Sequence, residues 1–189
     1  MENKQTNEYI RKSKGKNDEC YTYRYAVEPL LEFMEPFQEK TIWCPFDTEE
    51  SEFVKVFSER GYNVVYSHID NGQDFYRYEP EQFDLIISNP PFSNKTSMFE
   101  RILSFNKPFA ILMSVLYLND GTPHRLFKDI DLQLLLFSKR MTFKNQVHTN
   151  KKLINFMSCY FCKDFLPKQI MFRDFSNIDQ LHLFKEGEV

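Results

Sequence analysis

The stretch Ser88-Asn89-Pro90-Pro91-Phe92 stands directly after the apolar run Leu85-Ile86-Ile87. Two successive prolines fix φ and remove two N–H donors, so the Asn89 side chain and the Pro90 carbonyl can be held facing one point. Both present acceptors. Such a pair suits a planar amine whose lone pair is delocalised, such as the exocyclic nitrogen of adenine, because accepting both N–H bonds favours the more tetrahedral, nucleophilic form in the transition state. The Phe92 ring would hold the base by its face, and such stacking is worth roughly 1–3 kcal/mol per base, which helps offset extrusion from a duplex. The ordinary alternative is a strand-ending loop with Asn as a turn former.

The neighbouring elements determine where such a loop would sit. Ala26, Val27, Leu30, Leu31 and Met34 recur at helical spacing and predict a helix over 24–37. Thr41 to Cys44 reads as a buried strand. Asp47 with Glu50 resembles a capping box ahead of Phe53, Val54, Val56 and Phe57, and Gly61 ends that helix. Strands are expected over 62–66, 83–88, 109–116, 132–137 and 153–161, with helices over 95–105 and 122–128. This alternation predicts an α/β doubly wound sheet, in which ligands bind at the carboxyl ends of the strands. The motif loop is at such an end.

The chain has 189 residues, 42% hydrophobic and 16% aromatic, enough for the core of one domain. We expect a flexible basic arm (1–19, with Lys4, Arg11, Lys12, Lys14 and Lys16), a domain (20–175) and a short tail (176–189). The net charge of −3 hides an asymmetry: residues 28–84 hold fourteen acidic and four basic side chains, whereas 132–163 contain no carboxylate but carry Lys139, Arg140, Lys144, Lys151, Lys152 and Lys163. No secretory or membrane-spanning run is visible, and the expected location is cytoplasmic. Cys159 and Cys162 form a C-x-x-C in a β-prone run without a second ligand pair, so no metal site is expected.

Asn89-Pro90-Pro91-Phe92 resembles the shared tetrapeptide of the amino-methyltransferases: Asp, Asn or Ser, then Pro-Pro, then Tyr, Phe or Trp. Within that group the chain is similar, from about Tyr21 to Phe172, to the small phage and prophage adenine methyltransferases. Supporting stretches are Tyr25-Ala26-Val27-Glu28-Pro29-Leu30-Leu31, Gly72-Gln73-Asp74-Phe75, Lys139-Arg140-Met141-Thr142-Phe143 and Pro167-Lys168-Gln169-Ile170. The resemblance implies a mostly parallel, seven-stranded Rossmann-like sheet with one antiparallel strand, S-adenosylmethionine as cofactor, and adenine in nucleic acid as substrate, DNA favoured over RNA. It implies catalytic roles for Asn89, Pro90, Pro91 and Phe92. Tyr21, Thr22 and Asn89 would contact the cofactor, Asp74 would accept a hydrogen bond from the cofactor's adenine amine, and Phe75 would stack near that ring. Phe92, Ser93, Lys139, Arg140, Phe143 and Lys144 would face the substrate, the cations suiting phosphates and Phe143 forming a second wall for the base.

Two cofactor motifs depart from the family. Where an acidic residue, Pro-Phe and two glycines are usual, this chain reads Cys44-Pro45-Phe46-Asp47-Thr48-Glu49-Glu50. Glycine serves close backbone approach there, so its loss either reshapes the cofactor loop or weakens binding. Asp47 would take over the contact with the cofactor's ammonium group, or it caps the helix. The carboxylate expected for the ribose hydroxyls is replaced by Ser67-His68, with Asp70 as the substitute and His68 read as a polar strand-end residue. Three readings stand: adenine methylation, methylation of a glutamine side-chain amide, and a non-catalytic protein of this fold that binds nucleic acid or a host partner.

Overall fold

In the computed structural model, which describes residues 20–119, 121–145 and 154–176, the elements are β1 (Cys20–Thr22), α1 (Arg24–Val27), β2 (Thr41–Cys44), α2 (Glu52–Glu59), β3 (Asn63–Tyr66), β4 (Leu85–Ser88), α3 (Lys95–Ser104), β5 (Phe109–Ser114), α4 (Gly121–Phe127), β6 (Gln133–Phe137), β7 (Met141–Asn145), β8 (Ile154–Phe156), β9 (Ser158–Lys163) and β10 (Ile170–Arg173). Seven strands form one sheet in the order β3-β2-β4-β5-β9-β6-β10. All its neighbours are parallel except β9, which runs antiparallel to both β5 and β6. The fold is thus the doubly wound, mostly parallel α/β sheet with one antiparallel strand. The arm 1–19 and residues 177–189 of the tail lie outside the described residues.

Period-two alternation explains how one apolar strand feeds two cores. Ile42 and Cys44, Leu85 and Ile87, Ala110 and Leu112, and Tyr160 and Cys162 face the layer of α1 and α2. Trp43, Ile86, Phe109, Ile111, Met113, Cys159 and Phe161 face the opposite side, where α3 and α4 pack through Met98, Phe99, Ile102 and Phe127. Full burial of each large side chain contributes roughly 1.5–3 kcal/mol. Cys159 and Cys162 therefore sit on opposite faces and cannot share a metal ion. Among the described residues no helix is long and apolar enough to cross a membrane, and no group of three or more His, Cys, Asp or Glu is placed to hold a metal.

Three local expectations are corrected. The helix expected over 24–37 is α-helical only at Arg24–Val27 and continues as 3₁₀ turns at Glu28–Phe33 and Glu35–Phe37, each with a proline near its start. Pro29 and Pro36 supply no N–H and crowd the carbonyl four residues back, which the tighter turns avoid. The cap of α2 is Ser51, whose Oγ accepts the Phe53 N–H at 3.2 Å. The Asp47–Glu50 capping box does not form. The run 153–161 is two strands, β8 and β9, parted at Met157 and belonging to different sheets. Two further features stood outside the expectations: the small antiparallel sheet β1-β7-β8 and the edge strand β10, whose Ile170 and Phe172 are exposed.

The small sheet is fastened to the large one by two tyrosines. Tyr25 Oη accepts the Thr142 N–H at 2.9 Å, and Tyr160 Oη donates to the Ala26 carbonyl at 2.8 Å. The two bonds join β7 to α1 and α1 to β9, and β1 is carried along by its pairing with β7.

Candidate active site

Parallel strands β2, β3 and β4 end together, and the loops that leave them enclose a cavity of about 320 Å³, within the usual range of small-molecule sites. Phe46, Asp47 and Thr48 follow β2, His68 and Asp70 follow β3, and Asn89, Pro90 and Pro91 follow β4. Glu50, Ser51, Glu52 and Lys55, at the start of α2, form another wall, and Tyr21 and Thr22 on β1 close the site.

At the centre of this arrangement is Asp47, 7% exposed. Its Oδ1 accepts a hydrogen bond from Ser51 Oγ at 2.5 Å and its Oδ2 one from Ser88 Oγ at 2.5 Å. Desolvation pushes the Asp47 carboxyl up to about 6, opposed by the two serine hydrogen bonds and by His68. The loop itself is laced to the exit of β3: the Ser67 N–H donates to the Cys44 carbonyl at 3.1 Å and the Asp47 N–H to the Ser67 carbonyl at 3.2 Å. Trp43 Nε1 donates to Ser67 Oγ at 3.0 Å from below. No residue from 44 to 51 adopts positive φ, so the missing glycines are answered by a loop of ordinary dihedrals.

The β3 exit turns sharply. His68 Nδ1 accepts the Asp70 N–H at 3.2 Å, and Gly72 closes the turn at φ 77°, a conformation that costs glycine nothing. This turn presents the exposed Asp70 carboxylate at the cavity mouth.

Of the residues singled out in the sequence, Tyr21, Thr22, Phe46, Asp47, Asp70, Asn89, Pro90 and Pro91 are brought together. Cys44 and Pro45 are buried beneath the loop, and burial pushes the Cys44 thiol well up. Phe75 is 2% exposed and packs behind the cavity, its ring 4.7 Å from Phe46 and 5.6 Å from Trp43. It supports the Phe46 ring that lines the site. Asp74 Oδ1 accepts the Tyr76 N–H at 3.1 Å in the adjoining turn and does not line the cavity. Phe92, half-buried against the second core, and exposed Ser93 lie just past the lining residues.

Among the substrate-side candidates, Lys139 and Arg140 are exposed, with Lys139 Nζ 2.9 Å from the Ser176 carbonyl. Lys144 is paired in register with Tyr21, and Phe143 with Thr22. Phe143 is 1% exposed and belongs to the core, so its ring is packing rather than a wall of the cavity. Lys151 and Lys152 lie outside the described residues. Sequence reasoning did not single out Glu50, Ser51, Glu52 and Lys55 as lining residues, and it read His68 as a polar strand-end residue, whereas His68 lines the cavity. Helix-start polar residues look like solvated surface until the parallel sheet aims that helix end at the site.

The lining is strongly acidic: Asp47, Glu50, Glu52 and Asp70 against Lys55, which is itself bound to Glu50 at 2.6 Å. The buried Thr22 hydroxyl oxygen has no hydrogen-bond partner among the described residues. This donor set suits a small cationic ligand with hydroxyls.

No protein-family model matches the sequence, and no curated protein matches it. Among solved structures the chain is similar to a modification subunit of a putative type I restriction enzyme from Vibrio vulnificus, with a TM-score of 0.56 and 13% identity over 97% of this chain. The chain spans 55% of that subunit's length. A putative class I S-adenosylmethionine-dependent methyltransferase from Listeria monocytogenes aligns over 86% of this chain and 67% of its own, with 10% identity and a TM-score of 0.49. The likeness to the modification subunit is one of fold, the doubly wound, mostly parallel Rossmann-like sheet.

Proposed function

We propose that this chain is an S-adenosylmethionine-dependent methyltransferase acting on the exocyclic amino group of adenine in nucleic acid, with DNA favoured. The observation that carries the reading is the opening of the Asn89-Pro90-Pro91 loop onto an acid-lined cavity at the carboxyl ends of β2, β3 and β4. S-adenosylmethionine supplies a methyl group made electrophilic by a sulfonium, and its ammonium and sulfonium charges match the carboxylates of the cavity. Asp47 would hold the ammonium, Asp70 the ribose hydroxyls, and Phe46, backed by Phe75, the flat adenine ring. Tyr21 and Thr22 would close over the ligand.

The protein's own part is to hold the amine. The Asn89 side-chain oxygen and the Pro90 carbonyl accept its two N–H bonds and so favour its nucleophilic geometry, while Phe92 contributes the apolar face. Exposed Lys139 and Arg140 would meet phosphates. Nucleic acid is favoured as the substrate by these cations and by the structural similarity to a restriction-enzyme modification subunit.

A specific observation also favours a second reading, a non-catalytic binder of nucleic acid or a host partner. The position of the family's leading carboxylate holds Cys44, fully buried in the core. Calorimetric titration with S-adenosylmethionine separates the two: binding supports the enzyme, and no binding at millimolar cofactor overturns it. If cofactor binds, methyl transfer to duplex DNA, single-stranded DNA and RNA identifies the substrate, with Asn89→Ala as the control.

A further inference from the structure

Strand β4 is apolar through Leu85, Ile86 and Ile87 and then ends in a serine with no exposure at all. A buried hydroxyl requires a partner. The partner here is Asp47 on another loop, with Ser88 Oγ 2.5 Å from Asp47 Oδ2. The other carboxylate oxygen is taken by Ser51 Oγ at 2.5 Å, and Ser51 also caps α2. Asp47 therefore cannot swing freely. It is clamped between the start of a helix and the residue that directly precedes Asn89.

We propose that Ser88 is a positioning residue that ties the cation-binding carboxylate of Asp47 to the amine-holding loop, so that the charge state and occupancy of the cavity are transmitted to Asn89. The prolines make the tie effective. With φ locked at Pro90 and Pro91, the loop has few dihedrals to absorb a shift at Ser88, and displacement there moves the acceptors as a unit. An acceptor displaced by about an ångström can cost on the order of a hundredfold in rate.

The functional link rests on the methyltransferase reading, but the tie itself is testable without ligand. The titratable and charged groups around Asp47 are the Cys44 thiol from β2, His68 beyond β3 and Tyr160 from β9, with Glu50, Glu52 and Lys55 of the α2 wall and Asp70 lining the same cavity. Ionisation of Asp47, whose carboxyl is pushed up to about 6, changes the strength of the Ser88 hydrogen bond. In the ligand-free full-length chain, the backbone amide resonance of Asn89 is expected to move with pH around that midpoint. The movement should vanish in Asp47→Asn and fall by more than about half in Ser88→Ala, whereas Ser51→Ala, which leaves the Ser88 link in place, should shift the midpoint and keep the movement. An Asn89 resonance indifferent to pH in the parent protein, or unchanged movement in Ser88→Ala, overturns the proposal.

A second arm joins the tie to function. Ser88→Ala should bind S-adenosylmethionine within about threefold of the parent while kcat for methyl transfer falls roughly tenfold to a hundredfold, the range seen when a supporting partner of a site residue is lost. Equal losses in both, or none in kcat, overturn the transmission. A parent protein that binds no cofactor overturns the functional reading instead and leaves the resonance titration to decide the tie.

Discussion

Asp47 and Ser88, 41 positions apart, share a 2.5 Å hydrogen bond beneath the cavity floor. The carboxyl is buried, and its shift is upward, to about 6 from the ordinary 3.8. A raised folded-state value means that the folded protein holds this proton more tightly than the unfolded chain. The resulting stability is fully present below about 4 and is lost as the pH climbs through 6, for a total of about 3 kcal/mol. Asp47→Asn removes this dependence. Urea unfolding at pH 4, 5, 6 and 7, followed by the fluorescence of the single tryptophan, Trp43, should show the parent losing stability relative to the variant across that window. Curves that stay parallel across the four pH values contradict the assignment.

Placing at position 44 the carboxylate that the amino-methyltransferases carry there should fail. Cys44 has no exposure and lies in the core that faces α1 and α2. A carboxylate placed there lacks a cationic partner and adds charge close to Asp47. We expect Cys44→Asp to lower stability by about 3–5 kcal/mol at neutral pH, the range for an uncompensated buried charge, and less at pH 4 where the new group is protonated. A variant as stable as the parent, binding S-adenosylmethionine more tightly, would contradict this expectation.

The sheet was readable because its strands are short, apolar and separated by helices, and β2, β4 and β5 emerged close to their expected bounds. The place of the Asn89-Pro90-Pro91 loop at the cavity was readable for the same reason: residues 89–92 interrupt an apolar strand abruptly. The acid-lined wall was not. Glu50, Ser51, Glu52 and Lys55 carry no pattern that distinguishes them from a solvated helix face, and only the direction of α2 relative to β2 makes them lining residues. Phe75 and Phe143 mislead in the opposite sense, since a ring suited to stacking on a ligand is equally suited to packing in a core, and both are buried. The small sheet escaped because β1 and β7 pair across more than a hundred residues, a distance over which local periodicity says nothing.

Lys139 and Arg140 lie just beyond β6 and are exposed. If they meet phosphates, replacing both with alanine should weaken binding to every duplex sequence alike. The slope of log K against log salt should fall by about two, because each phosphate contact contributes close to one. Fluorescence anisotropy with labelled duplexes between 50 and 200 mM salt, roughly the range over which such contacts are lost, measures it. An unchanged slope removes these two residues from the interface.

Asn89 offers the most direct test of the chemistry. Its side chain is half-buried and lines the cavity beside Pro90 and Pro91, so truncation creates no large void in either core. Asn89→Ala should fold with a thermal midpoint close to the parent's. On the proposed reading the substitution removes one of the two acceptors for the amine, and the loss of one such group lowers kcat by about 10²–10³. Asn89→Asp keeps an acceptor and is expected to retain part of the rate. Single-turnover transfer of a labelled methyl group to an adenine-containing duplex, measured at saturating cofactor, isolates that step from binding. A variant that transfers at the parent's rate would place the amine elsewhere than at the Asn89-Pro90 corner.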